Sequence, residues 1–161
     1  MDVATQLRSL IGSLSRGSSR FGRVVAGDGT SVPDLVREVA AKAERAWKDS
    51  AAAGAVGPET PEEVKEALSR IDGERAVELL TYLAAEDLVY PVTPCRDRDH
   101  VHRAAERVVS LLGYQSAWYT NISDLSPRAR AWDPVTRHTF DGVVAGIGNG
   151  FAVTLLQVGE D

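Results

Sequence analysis

The stretch that decides the fold is Arg137–Val158, RHTFDGVVAGIGNGFAVTLLQV, near the C-terminal end of a chain of 161 residues. Asn149-Gly150 stands between two apolar runs, which is the strongest short-range signal for a β-hairpin with a two-residue type I′ turn. Such a turn needs positive φ at both central residues, and asparagine followed by glycine meets that need at low cost. The sequence therefore predicts a C-terminal β-hairpin centred on this dipeptide.

The turn also sets the register of the hairpin, and so which side chains share a face. The predicted pairs are Gly148 with Phe151, Gly146 with Val153, Val144 with Leu155, and Gly142 with Gln157. One face then carries Phe140, Val144, Phe151, Val153 and Leu155, and the other carries Val143, Ala145, Ile147, Ala152, Thr154, Leu156 and Val158. Because neither face is polar, we expect the hairpin to be covered on both sides, by the helix Val32–Trp47 or another layer, or by a second copy of the chain.

Five segments before the hairpin have apolar residues at helical spacing, and several begin with a residue suited to cap a helix. They are residues 2–15, a helix from Ser31 towards Ser50, a short helix at Thr60-Pro61, one capped by Asp72, and one capped by Asp99. A strand at Tyr114–Ile122 follows them. The order of helices first and strands last predicts an α+β fold, in which an N-terminal helical layer packs on a small antiparallel sheet that ends in the hairpin.

Two regions are expected along the chain. Residues 1–30 combine the first helix with a loop rich in Gly, Ser and Arg, which contains one short candidate strand, Phe21–Val25, and acts as an arm or a clasp. Residues 31–161 form the single α+β domain, since this length buries a sufficient core without further support.

Composition narrows the class of protein. The single cysteine, Cys95, excludes an internal disulfide framework and suits a reducing cytoplasm, and no secretory or membrane-spanning stretch is visible. The net charge is −5, with acidic residues concentrated between Asp34 and Asp87, whereas Arg8–Arg23 and Arg96–His138 lean basic. An acidic middle favours a basic protein partner over nucleic acid or membrane.

Three patterns suggest cofactor or nucleic-acid chemistry, and each lacks a required part. The helix Asp99–Leu112 with Arg103 and Arg107 resembles a DNA-recognition helix in outline, but the helices before it are acidic. The glycine-rich loop around Asp28 has no Walker A lysine. His100 and His102 lie far apart around a helix and have no second pair of ligands, so no metal or other cofactor is expected.

The candidate binding site lies at the hairpin entrance, where aromatic and charged residues gather. The partner- or ligand-binding candidates are Trp118, Tyr119, Arg130, Trp132, Asp133, Arg137, His138 and Asp141, with Asn121 and Arg128 nearby. Asp141 begins an otherwise apolar face, where an unpaired carboxylate is costly. Arg137 is its expected partner, because strand alternation puts both on one face, and the same alternation puts His138 with Phe140. No serine or cysteine completes a nucleophilic set, so binding is favoured over catalysis.

Three functional hypotheses follow. The first is a protein-binding module, in the manner of an immunity or antitoxin-like inhibitor of a basic partner, because Trp and Arg dominate interface hot spots. The second is a small-molecule-binding protein or enzyme with a polar site at the hairpin entrance. The third is a structural subunit of a larger assembly, such as a homo-oligomer, with the apolar hairpin as its interface.

Overall fold

A computed structural model of the chain describes residues 1–27, 29–90, 96–126 and 130–160. Within these ranges it forms five helices: α1 (Val3–Leu14), α2 (Val32–Ala46), α3 (Pro61–Ala67), α4 (Gly73–Ala85) and α5 (Arg98–Leu112). The strands of the same ranges are β1 (Arg20–Ala26), β2 (Ser69–Ile71), β3 (Ala117–Thr120), β4 (Ile122–Asp124), β5 (Ala131–Trp132), β6 (Phe140–Gly148) and β7 (Phe151–Gly159).

The main sheet has five strands in the order β1-β7-β6-β3-β2, and all neighbouring strands run antiparallel. A second, two-stranded sheet joins β4 and β5. The predicted α+β class, with a C-terminal hairpin in an antiparallel sheet, is confirmed. No helix in the described ranges is both long enough and apolar enough to span a bilayer.

The hairpin β6–β7 has the predicted register at all four of the pairs expected from its turn. Asn149 has φ 51° and Gly150 has φ 80°, so both central residues adopt the positive φ that a type I′ turn requires. The hairpin lies in the middle of the sheet, where β7 also pairs with β1 and β6 also pairs with β3. The local turn therefore determines how the central strands of the fold align.

Helices cover both faces of the sheet, as the two apolar faces of the hairpin predicted. On one face α1, α4 and α5 pack against Trp118, Val144, Val153 and Leu155. On the other face α2 and α3 pack against Val143, Ala145, Ala152 and Leu156. The helices thus divide between the two sides, and α2 supplies the cover that was expected from the helix Val32–Trp47.

Residues 1–27 take part in the sheet and its core. Leu7, Ile11 and Leu14 of α1 are buried in the cluster with α4 and α5. The strand expected at Phe21–Val25 is β1, which extends over Arg20–Ala26 and pairs with β7 along its whole length. The expected boundary at residue 30 falls in the connection between β1 and α2.

Polar caps hold the helix ends. Ser31, Thr60 and Asp72 are the N-caps of α2, α3 and α4, as predicted. The expected cap of α5, Asp99, is wrong by two residues, because the Asp97 carboxylate accepts the N–H groups of Asp99 and His100. At the C-terminal end of α4, Arg20 and Gln157 both donate to the carbonyls of Leu83 and Glu86, which helix geometry leaves free.

Candidate functional site

Asp141 lies at the centre of a buried hydrogen-bond network at the hairpin entrance. Its side chain is 2% exposed. It accepts hydrogen bonds from Asn121 Nδ2 at 2.8 Å, from the Val135 N–H at 3.1 and 3.2 Å, and from the N–H and hydroxyl of Thr136 at 2.9 and 2.8 Å. The expected pairing with Arg137 is wrong, because neighbouring amide and hydroxyl donors already satisfy this carboxylate.

Asn121 connects this carboxylate to the rest of the sheet. Besides donating to Asp141, its Nδ2 donates to the Asp133 carbonyl at 2.8 Å, and its Oδ1 accepts the Val143 N–H at 2.8 Å. The Asp133 N–H in turn donates to the Asn121 carbonyl at 2.9 Å. These hydrogen bonds connect the segment before β6 to the end of β3. The network therefore has a structural role.

The protonation of Asp141 follows from this surrounding. Burial raises the pKa of Asp141 to about 6, because the loss of water outweighs the hydrogen bonds from Thr136, Val135 and Asn121, which favour the charged carboxylate.

Arg137 and His138 lie on the side of the sheet that α2 covers. Arg137 donates from its backbone N–H to Glu44 Oε2 and from Nη2 to the Glu44 carbonyl, both at 3.3 Å. His138 is buried, with Nδ1 3.0 Å from Glu160 Oε1 and its ring edge-on to Trp47 at 5.9 Å. Strand alternation does not extend this far, because residues 135–139 form bends and β6 begins only at Phe140. The expectation that His138 shares a face with Phe140 is therefore wrong.

Trp118 and Tyr119 point to opposite faces of β3. Trp118 is buried and packs directly on Gly146, where an added Cβ would come within 2.5 Å of the indole ring. Its ring N–H donates to Ser116 Oγ at 2.9 Å. Tyr119 lies on the other face, with the Arg70 guanidinium 5.6 Å from its ring centre. Trp118 therefore belongs to the core and presents no binding surface.

Arg130 and Trp132, two further candidates, lie beside Asp141. Arg130 Nη1 donates to the Tyr82 hydroxyl at 3.1 Å and the Leu88 carbonyl at 2.9 Å, and Trp132 packs on Phe140 with ring centres 5.6 Å apart. With Asp141 they line a small cavity of about 10 Å³, which accommodates about one water molecule. The Asp133 side chain is exposed, and Arg128 lies outside the described residues. The eight candidates are therefore divided among the buried core, both faces of the sheet and the exposed surface, and do not form one cluster.

A different constellation arises between α1 and α5. We call it the α1/α5 groove; it has a volume of about 690 Å³. Its lining residues are Arg8, Ser9, Leu10, Gly12, Ser13, Arg16, His100, Arg103, Ala104 and Arg107. The groove thus contains four arginines and a histidine, and none of its described lining residues is acidic.

Helical periodicity explains why these residues share one groove. Arg8 and Gly12 are spaced by four on α1, and Arg16 follows just after its C-cap, Ser15. His100, Arg103 and Arg107 are spaced by three and four on α5, so they lie on one face of that helix. The groove is open above Gly12, since no atom lies within 4 Å of where a Cβ would stand.

Few of these positive charges are compensated inside the groove. Arg107 Nη2 donates to Gln6 Oε1 at 3.0 Å, which connects α5 to α1 through a neutral partner. Arg96, just before α5, donates to the carbonyl and hydroxyl of Ser13. Burial, together with the positive charges of Arg16 and Arg20, lowers the pKa of Arg96. Crowded cations of this kind create a local positive potential that attracts an anion.

The basic character of both segments is visible in the sequence, but their position side by side is not. Arg103 and Arg107 lie on one face of a predicted helix, whereas Arg8 and Arg16 stand roughly ninety residues earlier in the chain. The available signal was the spacing of arginines around small residues at Arg8, Gly12 and Arg16. What was missing was the information that α1 packs beside α5.

The two histidines of α5 serve different surfaces. His100 lines the α1/α5 groove, while His102 Nε2 lies 3.3 Å from Glu106 on the side of α5 that faces α4. In the described ranges no group of three or more His, Cys, Asp or Glu residues is placed to hold a metal ion. Cys95 and Asp28 lie outside the described residues.

Comparisons with protein-family models, with curated proteins and with solved structures find no match. Function is therefore inferred from the chain itself. Of the surfaces described above, the α1/α5 groove has the most one-sided charge.

Proposed function

We propose that this protein is a binding module that receives an acidic segment of a partner protein in the α1/α5 groove. The observation that carries this proposal is the concentration of four arginines and one histidine, with no acidic residue among the described lining residues, in a chain of net charge −5. Such local excess of one sign favours a partner of the other sign.

The type of cation and the shape of the groove support a carboxylate-bearing partner. Arginine presents a planar fork of donors that matches a carboxylate, and it keeps its charge at any physiological pH. Arg8, Arg16 and Arg103 are exposed, so their guanidinium groups are accessible to a partner. Between them, Ser9, Gly12 and Ser13 leave room for a backbone to approach.

Charge elsewhere on the molecule favours a short acidic segment over nucleic acid. Taking the four groove arginines from the net charge of −5 leaves −9 on the rest of the chain. A long polyanion that extended beyond the groove would meet this negative surface, whereas nucleic-acid-binding domains spread positive charge over a whole face. Among the described lining residues none is Trp, Tyr or Phe, and His100 supplies the one ring on which a base would stack.

This proposal keeps the protein-binding class that the sequence favoured and changes the partner's charge at this surface. An inhibitor-like role towards a basic partner, through the acidic segment Asp34–Asp87, stays a prediction. The small-molecule alternative receives little support at the hairpin entrance, because the cavity beside Asp141 holds about one water molecule. The structural-subunit alternative also stays a prediction.

The test uses three fluorescein-labelled probes of equal length: a Glu/Gly peptide, a Lys/Gly peptide and single-stranded DNA. We expect anisotropy titrations to show binding of the Glu/Gly peptide, weakening by about tenfold for the double variant Arg103→Glu/Arg107→Glu, which is about 1.4 kcal/mol. The control is Lys42→Glu/Arg45→Glu, which changes the net charge equally on exposed positions of α2.

Two outcomes would contradict the proposal. One is equal weakening by the α2 control and the groove variant, which would show that only net charge matters. The other is tighter binding of the DNA probe than of the Glu/Gly peptide across salt concentrations of about 50 to about 200 mM.

A further inference from the structure

We propose that β1 is a pairing edge at which two copies of this chain join antiparallel, so that their sheets form one continuous sheet. The sheet order leaves β1 at one end and β2 at the other. β2 has only three residues, a length that protects an edge from further pairing, whereas β1 has seven. The long edge is the one available to a second chain, independently of the α1/α5 groove.

The backbone groups on the outer side of β1 are identified by its pairing with β7. The Ser19 carbonyl accepts the Val158 N–H and the Gly27 N–H donates to the Gly150 carbonyl, both at 2.9 Å. Odd-numbered residues therefore bond to β7, and the N–H and C=O groups of the even-numbered residues point outwards. These residues are Arg20, Gly22, Val24 and Ala26. Among the described residues, no hydrogen bond reaches these outward groups.

This edge is complementary to itself. The four outward residues are symmetric about Arg23. A two-fold axis there pairs Gly22 with Val24 of the partner subunit, and Arg20 with Ala26 of the partner subunit. That register uses all four outward residues of each copy. It also places Phe21 opposite Val25 of the partner subunit, and the two-fold axis repeats this pair on its other side. Phe21 and Val25 are only partly buried within one chain, and an aromatic residue beside a β-branched one is a favourable cross-strand pair.

Two charged residues, Arg23 at the centre of β1 and its neighbour Glu38, favour a second copy of this chain as the partner. The axis brings the two copies of Arg23 side by side, and like charges directly opposite are unfavourable. Each Arg23, however, lies 3.2 Å from Glu38 of its own α2, with both side chains about half exposed. Two copies therefore assemble two arginines and two glutamates into a balanced cluster. An unrelated apolar strand would not complete that cluster.

The test measures the mass of the full chain by light scattering and sedimentation between about 1 and about 200 µM. We expect concentration-dependent dimers. Arg23→Glu should abolish them, since it gathers four carboxylates at the axis. The swapped variant Arg23→Glu/Glu38→Arg should restore dimers, because it rebuilds the balanced cluster with its signs exchanged. Lys42→Glu/Arg45→Glu, on exposed positions of α2, should leave them unchanged.

A backbone variant provides a second measurement should Arg23→Glu fail to fold. Ala26→Pro removes an outward N–H without removing a bond to β7, and proline is tolerated at an edge. It should weaken the dimer at least tenfold while the circular dichroism spectrum stays that of the parent. A chain that is monomeric throughout the concentration range would overturn the proposal. So would dimers that survive both Arg23→Glu and Ala26→Pro, or dimers that the swapped variant fails to restore.

Binding of the Glu/Gly peptide is measured separately and reports on the α1/α5 groove alone. Loss of dimers in Arg23→Glu with unchanged peptide binding would support the β1 edge without bearing on the groove. Loss of peptide binding in Arg103→Glu/Arg107→Glu with unchanged dimers would do the reverse.

Discussion

Asn121 Nδ2 donates to Asp141 Oδ1 at 2.8 Å, and this buried hydrogen bond joins the end of β3 to the start of β6. Strand alternation in the sequence had predicted that Asp141 forms an ion pair with Arg137 instead. The carboxylate has amide and hydroxyl donors where a cation was expected, and their hydrogen bonds offset part of the cost of its lost water. The stability of the hairpin entrance therefore depends on Asn121 and Thr136.

Asp141→Asn should lower the free energy of unfolding by about 1–3 kcal/mol near pH 7. The amide that replaces one oxygen would face the N–H groups of Val135 and Thr136, which are themselves donors. Urea melts of Asp141→Asn, Arg137→Met and the double variant check this. Because Arg137 contacts Glu44, the coupling energy between the two substitutions should be close to zero. A large coupling, or an Asn variant as stable as the parent, would contradict the structural role.

The stability of the protein should depend on pH through Asp141. Its pKa in the folded chain, about 6, lies above its ordinary value of 3.8, so the folded state holds the proton more tightly than the unfolded state. This contribution is complete below about pH 3.8 and is lost as the pH rises to about 6, by up to about 3 kcal/mol. The measurement is the difference in unfolding free energy between the parent and Asp141→Asn, which cancels other titrating groups. That difference should narrow from pH 4 to pH 6; a constant difference would contradict the raised pKa.

Gly150→Val should reduce stability by roughly 1 kcal/mol or more, because a β-branched residue is strained at φ 80°. Gly29→Val is the matched control. Neither glycine has an atom within 4 Å of the position of a Cβ, but only Gly150 has a positive φ. Thermal melts should separate the two variants. Equal melting temperatures for both would show that turn strain does not contribute.

Gly146→Ala should destabilise by about 1–3 kcal/mol through a direct clash, since the new Cβ would lie 2.5 Å from the Trp118 ring. Trp118→Leu in the same chain should recover part of that loss, because the smaller side chain vacates the space. Chemical denaturation of the two single variants and the double variant measures this coupling. Additive losses would show that the loss in Gly146→Ala does not come from the clash with the Trp118 ring.

Much of the fold follows from short-range patterns in the sequence. Asn149-Gly150 is sufficient to predict the turn, and a two-residue turn leaves one register for β6 and β7. The apolar residues on both faces of that hairpin predict cover on both sides, which α2 and the group α1, α4 and α5 provide. Such features depend on neighbours within a few positions, so local sequence is enough to determine them.

The hydrogen-bond partners of buried polar groups could not be predicted from such short-range patterns. Alternation assigned Arg137 to Asp141 because it assumed a continuous strand, while residues 135–139 bend and deliver their N–H groups to the carboxylate. The bend is stabilised by hydrogen bonds from Asn121, which directly follows β3. A hydrogen bond between distant segments depends on how the strands are ordered, and local periodicity carries no such information.

The α1/α5 groove shows the same division most clearly. The sequence by itself predicted two amphipathic helices, residues 2–15 and Asp99–Leu112, and indicated that Arg103 and Arg107 lie on one face of the second. Only the tertiary structure decided that this arginine face meets Arg8 of α1 and Arg16 just beyond its end. The physical reason is that both helices bury their apolar stripes in one core, through Leu7 and Ile11 on α1 and Val101 and Val108 on α5. Burial of those stripes sets the helix positions, and the charged faces are brought together as a consequence.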